Sequence, residues 1–252
     1  MKLLVTGAAG HIGTRFLMEY AERYDLRMTD LREPEPEYKT PGDWRFGDLT
    51  DREFSAGVCE GVDCILHLAG NPNWKSPWDV LYPSNVASTQ NIFQAAHEAA
   101  VKRIVYASTI QVVEGYPEEV CITPDMPPLP INEYAATKAL GELLCSVYSH
   151  KDMSCLAIRI GAYTVPKWMK PHTGEIWRKK IITPSDMNQL LRLAIEAPED
   201  LKFGIFHGVS NNYKKRLDIT STCHILGYAP QDVIGPPEEA PPVPEGQRAS
   251  IC

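Results

Sequence analysis

Tyr134 and Lys138 stand four residues apart, and their types and spacing suit the removal of a proton from an alcohol. Residues at this spacing share one face of a helix, so the phenol and the ammonium would lie side by side. A phenol has a pKa of about 10 and is a weak base at neutral pH. A cation one turn away favours the phenolate, which makes proton abstraction feasible. The pair therefore predicts a general base, with Lys138 lowering the pKa of Tyr134.

A third polar group for the same site is predicted at the end of a buried strand. The run from Val105 to Thr109 ends in two hydroxyl residues, Ser108 and Thr109. One of these hydroxyls can hold the reacting oxygen opposite the tyrosine. Ser108 can instead cap the end of the strand, so Thr109 is the preferred candidate and Ser108 the alternative.

A glycine-rich turn follows the first predicted strand and opens a helix. Gly7, Gly10 and Gly13 have the spacing G-x-x-G-x-x-G, with His11 and Ile12 in the same turn. Small residues let the backbone approach a pyrophosphate, and a helix N-terminus offers free N–H groups with a partial positive charge. The turn therefore predicts dinucleotide binding. His11 is either a cofactor contact or a surface residue.

Three further segments at strand ends fit the same ligand. Asp30 ends the second predicted strand, where a carboxylate accepts both ribose hydroxyl hydrogens and repels a 2′-phosphate. This favours NAD over NADP, although Arg32 nearby is the type of residue that tolerates NADP. Gly47-Asp48-Leu49 and Leu68-Ala69-Gly70 follow the next two strands. Doubly wound sheets bind their ligands at these carboxyl ends.

Short apolar runs alternate with helical patterns along most of the chain. The runs show little polar alternation, which is typical of strands covered on both faces. The candidate strands are Lys2–Val5, Leu26–Thr29, Asp63–Leu68, Arg103–Ala107, Cys155–Ile160 and Phe203–His207, and the clearest helices are Ile12–Arg23, Ser84–Ala100 and Tyr134–Ser149. This alternation predicts an α/β fold: a doubly wound parallel Rossmann sheet with helices on both faces and right-handed crossovers.

Three regions are predicted along the chain. An NAD-binding domain with the catalytic residues covers residues 1–161. A small substrate-covering region, interleaved with the last strands, covers 162–234, and a proline-rich tail covers 235–252. Fewer than about 100 residues follow Gly161, which is short for a further domain. This length favours a free sugar or another small alcohol over a nucleotide sugar.

Composition limits the partners. The net charge is −7 and there is no large basic cluster, which disfavours nucleic acid and anionic membranes. No apolar stretch approaches the roughly 20 residues of a membrane helix. The seven cysteines are odd in number without C-x-x-C spacing, and no two histidines have ligand spacing. Neither a disulfide framework nor a metal site is therefore predicted. Unpaired thiols are typical of the cytoplasm, which is the expected location.

Together, these motifs resemble the extended short-chain dehydrogenase/reductase family, which includes NAD-dependent epimerases and dehydratases. The resemblance covers residues 1 to about 230. Its motifs are the turn of Gly7, Gly10 and Gly13, then Asp30, Gly47-Asp48-Leu49, Leu68-Ala69-Gly70, Asn85 to Asn91, Ala107-Ser108-Thr109, and Tyr134 with Lys138. The resemblance implies hydride transfer between NAD and a small hydroxylated substrate, with Tyr134 as the general base.

The resemblance also implies contacts with each part of the cofactor. These are Asp48 and Leu49 for the adenine, Lys138 for the ribose, and Asn85 and Ile160 near the nicotinamide. In this family, helices at the positions of Ser84–Ala100 and Tyr134–Ser149 commonly pair with a second subunit. A homodimer is therefore expected.

Within the family, the chain is most similar to the uronate dehydrogenases, which oxidise C1 of a free hexuronic acid. The shared segments are His67–Gly70, Gly115–Pro117, Ile158–Gly161 and Leu226–Pro230. By this resemblance Arg178 grips a substrate carboxylate, for which a planar guanidinium is suited. Thr109-Ile110-Gln111 replaces the Ser-Asn-His of those enzymes. The predicted substrate contacts are Asn73, Ser76, Thr109, Ile110, Gln111 and Arg178.

Three other functions remain open from the sequence. A sugar epimerase or ketone reductase would use the cofactor transiently or in reverse. A regulator would bind NAD without turning over a substrate. An enzyme for a non-sugar alcohol would suit a pocket that Ile110 makes more apolar.

Overall fold

The computed structural model describes residues 1–164 and 178–235. Its strands are β1 (Lys2–Thr6), β2 (Asp25–Asp30), β3 (Asp43–Phe46), β4 (Cys64–His67), β5 (Arg103–Thr109), β6 (Ser154–Ile160), β7 (Ala162–Tyr163), β8 (Ile181–Ile182), β9 (Phe203–Gly208), β10 (Asn211–Asn212) and β11 (Val233–Ile234). Its helices are α1 (His11–Tyr20), α2 (Arg52–Cys59), α3 (Trp78–Leu81), α4 (Ser88–Glu98), α5 (Glu133–Ser149), α6 (Pro184–Ile195) and α7 (Thr220–Leu226).

Seven parallel strands form the central sheet, in the order β3-β2-β1-β4-β5-β6-β9. The chain starts in the middle of the sheet at β1, moves outward to β3, and then returns to the other side of β1 to form β4. The strand order therefore reverses between β1 and β4, and a crevice opens outside their carboxyl ends. This topology confirms the predicted doubly wound α/β fold.

The strand sequences are apolar because both faces of the sheet are covered. In β1, Leu3 and Val5 belong to a core that also contains Phe16 of α1, whereas Leu4 belongs to a second core with Phe93 of α4. Successive side chains of a strand point to opposite faces, so one strand contributes to both cores. All seven residues of β5 and of β6 are buried, as expected for strands covered on both faces.

Two predicted helices differ in detail from the structure. The helix predicted over Ser84–Ala100 is a π-helical segment, Tyr82–Ala87, followed directly by α4. The helix predicted over Ile12–Arg23 is α1 followed by a short 3₁₀ turn, Ala21–Arg23. Hydrophobic periodicity cannot separate these helix types, because a π turn adds only one residue to the helical period.

After β6, the chain also forms two small parallel ribbons, β7 with β8 and β10 with β11, which lie outside the seven-stranded sheet. The predicted boundaries at 161 and 234 stay predictions. Residues 165–177, part of the predicted substrate-covering region, and residues 236–252, almost all of the predicted tail, lie outside the described residues.

Five of the described cysteines are free, but Cys121 is disulfide-bonded. The expectation of unpaired thiols is therefore wrong for Cys121, because an odd number of cysteines does not exclude a single bridge. Within residues 1–164 and 178–235, no helix combines the length and the hydrophobicity that crossing a bilayer requires.

Candidate active site

The glycine turn between β1 and α1 closes against the end of β4. Gly7 has φ +67°, and a Cβ at this position would lie 2.7 Å from the backbone nitrogen of Ala69. A Cβ on Gly13 would lie 2.6 Å from the carbonyl oxygen of Gly7. Only glycine fits either position. Gly10 precedes α1 without a capping side chain, and the N-terminus of such a helix can bind an anion.

Asp30 is fixed at the end of β2 by the backbone of two neighbouring loops. Its Oδ2 accepts a hydrogen bond from Ala9 N (3.0 Å), and its Oδ1 accepts one from Leu31 N (2.8 Å). The carboxylate is therefore oriented before any ligand binds. Arg32 lines the same cleft as Asp30, so the structure places both groups that bear on the choice between NAD and NADP at one position.

The crevice at the strand reversal is a cleft of about 770 Å³. Eleven of the residues predicted to bind the cofactor line it: Gly7, Gly10, His11, Ile12, Gly13, Asp30, Asp48, Leu49, Leu68, Ala69 and Gly70. The cleft extends past Gly70 to Ala107 at the end of β5. It therefore connects the predicted pyrophosphate end to the strand that carries the catalytic candidates.

Asn91 of α4 holds the loop predicted to contact adenine. Its Nδ2 donates to the carbonyl oxygens of Leu49 (3.0 Å) and Thr50 (2.9 Å). The side chain of Asp48 accepts a hydrogen bond from Thr50 N at 2.9 Å. The motif from Asn85 to Asn91 indicated that this segment matters. The role of Asn91 in holding the loop, however, depends on contacts between residues about 40 positions apart in the chain.

Asn85 joins the loop after β4 to α5 from within the π-helical segment. Its buried carboxamide accepts from Asn71 N (2.7 Å) and donates to Thr137 Oγ1 (3.1 Å). A Cβ on Gly70 would lie 3.0 Å from Asn85 Oδ1 and 3.4 Å from Lys138 Nζ. Gly70 lines the cleft, and the side chains of Asn85 and Lys138 lie close to Gly70. A single π turn at a functional position is a common arrangement in proteins.

The ammonium of Lys138 is buried between α5 and the end of β5. Nζ donates to the carbonyl oxygen of Ala107 at 3.0 Å and lies 5.1 Å from the centre of the Tyr106 ring. Burial disfavours the charged form and lowers the pKa of Lys138 to about 8. The side chain is therefore still mostly cationic at neutral pH.

The phenol of Tyr134 is buried beside the side chain of Thr109. Burial raises the pKa of Tyr134 to about 12, and the neighbouring Thr109 side chain acts in the opposite direction. The Thr109 side chain therefore favours the phenolate. The predicted lowering of this pKa by Lys138 is not found, because burial has the largest effect and the Lys138 ammonium binds the carbonyl of Ala107.

The Ser108 hydroxyl points to a buried ion pair. Ser108 Oγ donates to Glu142 Oε1 at 2.6 Å, and Arg159 binds both oxygens of Glu142 at 2.9 Å. The side chains of Arg159 and Glu142 are only 1% and 2% exposed. Of the two hydroxyls at the end of β5, only that of Thr109 therefore meets Tyr134.

The predicted substrate contacts lie in different environments. Ile110 is in the apolar core, and Gln111 Oε1 accepts a hydrogen bond from Asn132 Nδ2 at 2.9 Å. Asn73 is exposed, and Ser76 accepts from Asn71 Nδ2 at 3.1 Å. The buried position of Ile110 gives no support to its predicted contact with substrate. Arg178 is partly buried ahead of β8, and its grip on a carboxylate stays a prediction.

Comparison with known families decides the family. The model of the NAD dependent epimerase/dehydratase family matches residues 3–174, which is more than half of the chain. The chain belongs to this family. The prediction from the sequence motifs is thus confirmed.

Three relatives represent the part of the family that this chain resembles. An NAD-dependent glucose-6-phosphate dehydrogenase from Haloferax volcanii is 33% identical over 91% of this chain and 93% of its own length. A uronate dehydrogenase from Pseudomonas syringae is 30% identical over 92% of this chain and 82% of its own. The crystal structure of uronate dehydrogenase from Agrobacterium tumefaciens has a TM-score of 0.82 at 28% identity, covering 92% of this chain and 85% of that one.

The site of this family member fits NAD. The glycine cradle that a Cβ would fill leaves room for a pyrophosphate, and the oriented Asp30 carboxylate suits ribose hydroxyls. Sequence reasoning missed Tyr163, which lines the cleft and whose hydroxyl lies 3.5 Å from the carbonyl oxygen of His11. Its place three residues after the end of β6 was the signal that could have identified it.

Proposed function

We propose that this protein oxidises the C1 hydroxyl of a free aldose or sugar acid, with NAD as the hydride acceptor. The observation that carries the proposal is the position of the buried Tyr134 phenol beside the Thr109 side chain, next to the end of the cofactor cleft. The relatives named as sugar and uronate dehydrogenases support an aldose as the substrate class.

In this proposal the residues of the site handle the proton of the substrate hydroxyl. Tyr134 removes that proton, and Thr109 holds the substrate oxygen in place. Ser108 has no part, because its hydroxyl is bound to Glu142. Lys138 donates to the ribose. When bound, NAD supplies the hydride acceptor and, in its oxidised form, a positive charge that favours the phenolate.

The decisive experiment measures NADH formation with a panel of substrates. The panel holds glucuronate, galacturonate, glucose 6-phosphate, neutral aldoses, and secondary alcohols without a sugar ring. We expect NADH with at least one aldose or sugar acid and none with the simple alcohols. Tightly bound NAD with no net NADH from any sugar would contradict the proposal and indicate an epimerase or a regulator.

Asp30→Asn is expected to reduce the preference for NAD over NADP by about 100-fold in kcat/KM, a combined effect of roughly 3 kcal/mol on the two cofactors. The change removes the charge that repels a 2′-phosphate and weakens the acceptor for the ribose hydroxyls. Steady-state kinetics with both cofactors measure the ratio. Glu33→Gln is the matched control, because it removes an exposed carboxylate nearby. An unchanged ratio in Asp30→Asn would assign cofactor selection to another residue.

We also propose that the protein is a homodimer through α5. Leu140, Leu143 and Val147 are exposed on this helix and have the spacing of a single face. Trp78 and Tyr82 are exposed on α3 and the π-helical segment, which pack near α5. An apolar patch of this kind is typical of an interface.

Leu143→Glu is expected to convert the dimer to a monomer, because it places a charge within the apolar patch. Sedimentation velocity measures the change. Ile225→Glu, at an exposed position on α7, is the control and should leave the dimer intact. A wild-type protein that sediments as a monomer at micromolar concentration would contradict the proposal.

The expectations for nucleic acid and for cellular location rest on the net charge and on the state of the cysteines. The net charge of −7 supports a small-molecule enzyme without a nucleic-acid partner. Five of the six described cysteines are free, which supports a cytoplasmic location, whereas the bridge at Cys121 counts against it. Retention on a nucleic-acid column at physiological salt would contradict the first expectation.

A further inference from the structure

Gln111 and Asn132 link the strand end that carries Thr109 to the helix that carries Tyr134. Asn132 is the N-cap of α5, and its Oδ1 accepts a hydrogen bond from Ala135 N at 2.8 Å. A backbone N–H can only donate, so the capping atom of Asn132 must be its oxygen. The Nδ2 atom of Asn132 then faces Gln111, and Gln111 presents Oε1 as the acceptor at 2.9 Å.

The backbone of Gln111 makes a second link to the same site. Gln111 N donates to Thr109 Oγ1 at 3.3 Å, so the Thr109 oxygen is an acceptor on that side. The hydroxyl hydrogen of Thr109 can then point towards the neighbouring phenol of Tyr134. Gln111 therefore contacts Thr109 through its backbone and the cap of the Tyr134 helix through its side chain.

The position of Tyr134 depends on where α5 begins. Tyr134 is the second residue of α5 and lies two residues after the cap Asn132. The first turn of a helix is held mainly by its cap, because its N–H groups have no partners within the helix. A shift of Asn132 would move the phenol relative to Thr109.

We propose that Gln111 is a positioning residue that acts through Asn132 to hold the Tyr134 phenol against Thr109, and not a substrate contact. The kinetic part of this inference rests on the proposed function. Gln111 Oε1 is directed to Asn132, so the atom that determines its role is an acceptor. If Gln111 bound the substrate through its Nε2 donors, loss of those donors would lower activity instead.

Two substitutions at Gln111 separate the two roles. Gln111→Met keeps the size but removes the acceptor, and we expect kcat to fall about tenfold with KM for the sugar within about twofold. Gln111→Glu keeps the acceptor and removes both donors, so its plateau kcat should return to within about threefold of wild type. Its pH profile should move to higher pH, because the added carboxylate raises the pKa of Tyr134.

Asn132→Ser provides a second route to the same link. Serine retains an oxygen for the helix cap but loses the donor to Gln111. We expect about the same tenfold loss in kcat, and no further loss in the double variant Gln111→Met with Asn132→Ser. Two changes that break one interaction do not add.

A measurement without substrate keeps this inference separate from the proposed function. In protein labelled at tyrosine Cζ, the Tyr134 resonance, assigned with Tyr134→Phe, reports the environment of the phenol beside Thr109. It should shift in Gln111→Met and in Asn132→Ser, and return towards wild type in Gln111→Glu. If the wild type oxidises no sugar, the proposed function fails and this resonance alone decides the role of Gln111.

Four results would overturn the inference. These are an unshifted Tyr134 resonance in Gln111→Met, a Gln111→Glu variant as impaired as Gln111→Met, a loss that falls on KM instead of kcat, and additive losses in the double variant.

Discussion

Tyr134→Phe is expected to lower kcat about a thousandfold, the scale at which a lost general base affects rate. The substitution removes only the hydroxyl that lies beside Thr109 and keeps the buried ring, so the fold and the cleft are preserved. NAD affinity should change less than about threefold, because the glycine turn and Asp30 are untouched. Initial rates of NADH formation give kcat, and calorimetric titration gives the affinity for NAD.

Tyr148→Phe is the matched control for this prediction. Tyr148 is buried near the other end of α5, where its hydroxyl is 3.5 Å from the side chain of Gln90. It should retain nearly full activity. A Tyr134→Phe variant with more than a tenth of the wild-type kcat would rule out the phenol as the base.

The pH profile should carry the signature of the same group. Burial raises the pKa of Tyr134 to about 12, so the deprotonated base becomes more abundant as the pH rises. Oxidation should therefore accelerate with pH well above neutrality, and this rising limb should be absent in Tyr134→Phe. A wild-type rate that is flat from pH 6 to pH 10 would be inconsistent with a phenol as the base.

Glu142→Leu is expected to destabilise the fold by about 3–5 kcal/mol, because it leaves the Arg159 guanidinium buried without its counter-charge. The pair is almost fully buried, and Glu142 also accepts the hydrogen bond from Ser108. For a chain of this size the loss corresponds to a fall in Tm of roughly 6–20 °C. Urea unfolding gives the free energy, and thermal unfolding gives the Tm.

The double variant Glu142→Leu with Arg159→Met tests the cause. Removing both charges takes away the unpaired ion, so the double variant should be more stable than either single variant. If Glu142→Leu lost less than about 1 kcal/mol, the guanidinium would have found another partner, and the pair would not be a major determinant of stability.

The sequence contained enough information for the fold and for the cofactor end of the site. Lys2–Thr6 reads as a strand because it is buried on both faces, and Gly7 and Gly13 are glycines because a Cβ would collide with the backbone. Asp30 is the last residue of its strand. These features depend on neighbours along the chain, so local patterns identify them.

The partners of the catalytic segment could not be predicted in the same way. Ser108 meets Glu142 across 34 positions, and Gln111 meets Asn132 across 21. Ser108, Ile110 and Gln111 lie within four residues of the chain, yet their environments differ. Ser108 binds an ion pair, Ile110 lies in the core and Gln111 binds a helix cap. Such differences arise from the packing of α5 on the sheet, and no residue pattern within the segment encodes them.

Because Tyr82–Ala87 is π-helical, the direction of the Asn85 side chain depends on the number of residues in this segment. Each residue of an α-helix advances the side chains by about 100°. Deletion of Val86 would let the segment continue α4 as a regular helix and would turn Asn85 by about that angle. Its carboxamide would then leave both Asn71 and Thr137. Loss of a single codon in this segment is therefore a more severe change than most substitutions there, although it removes no side chain that contacts the cofactor end of the cleft.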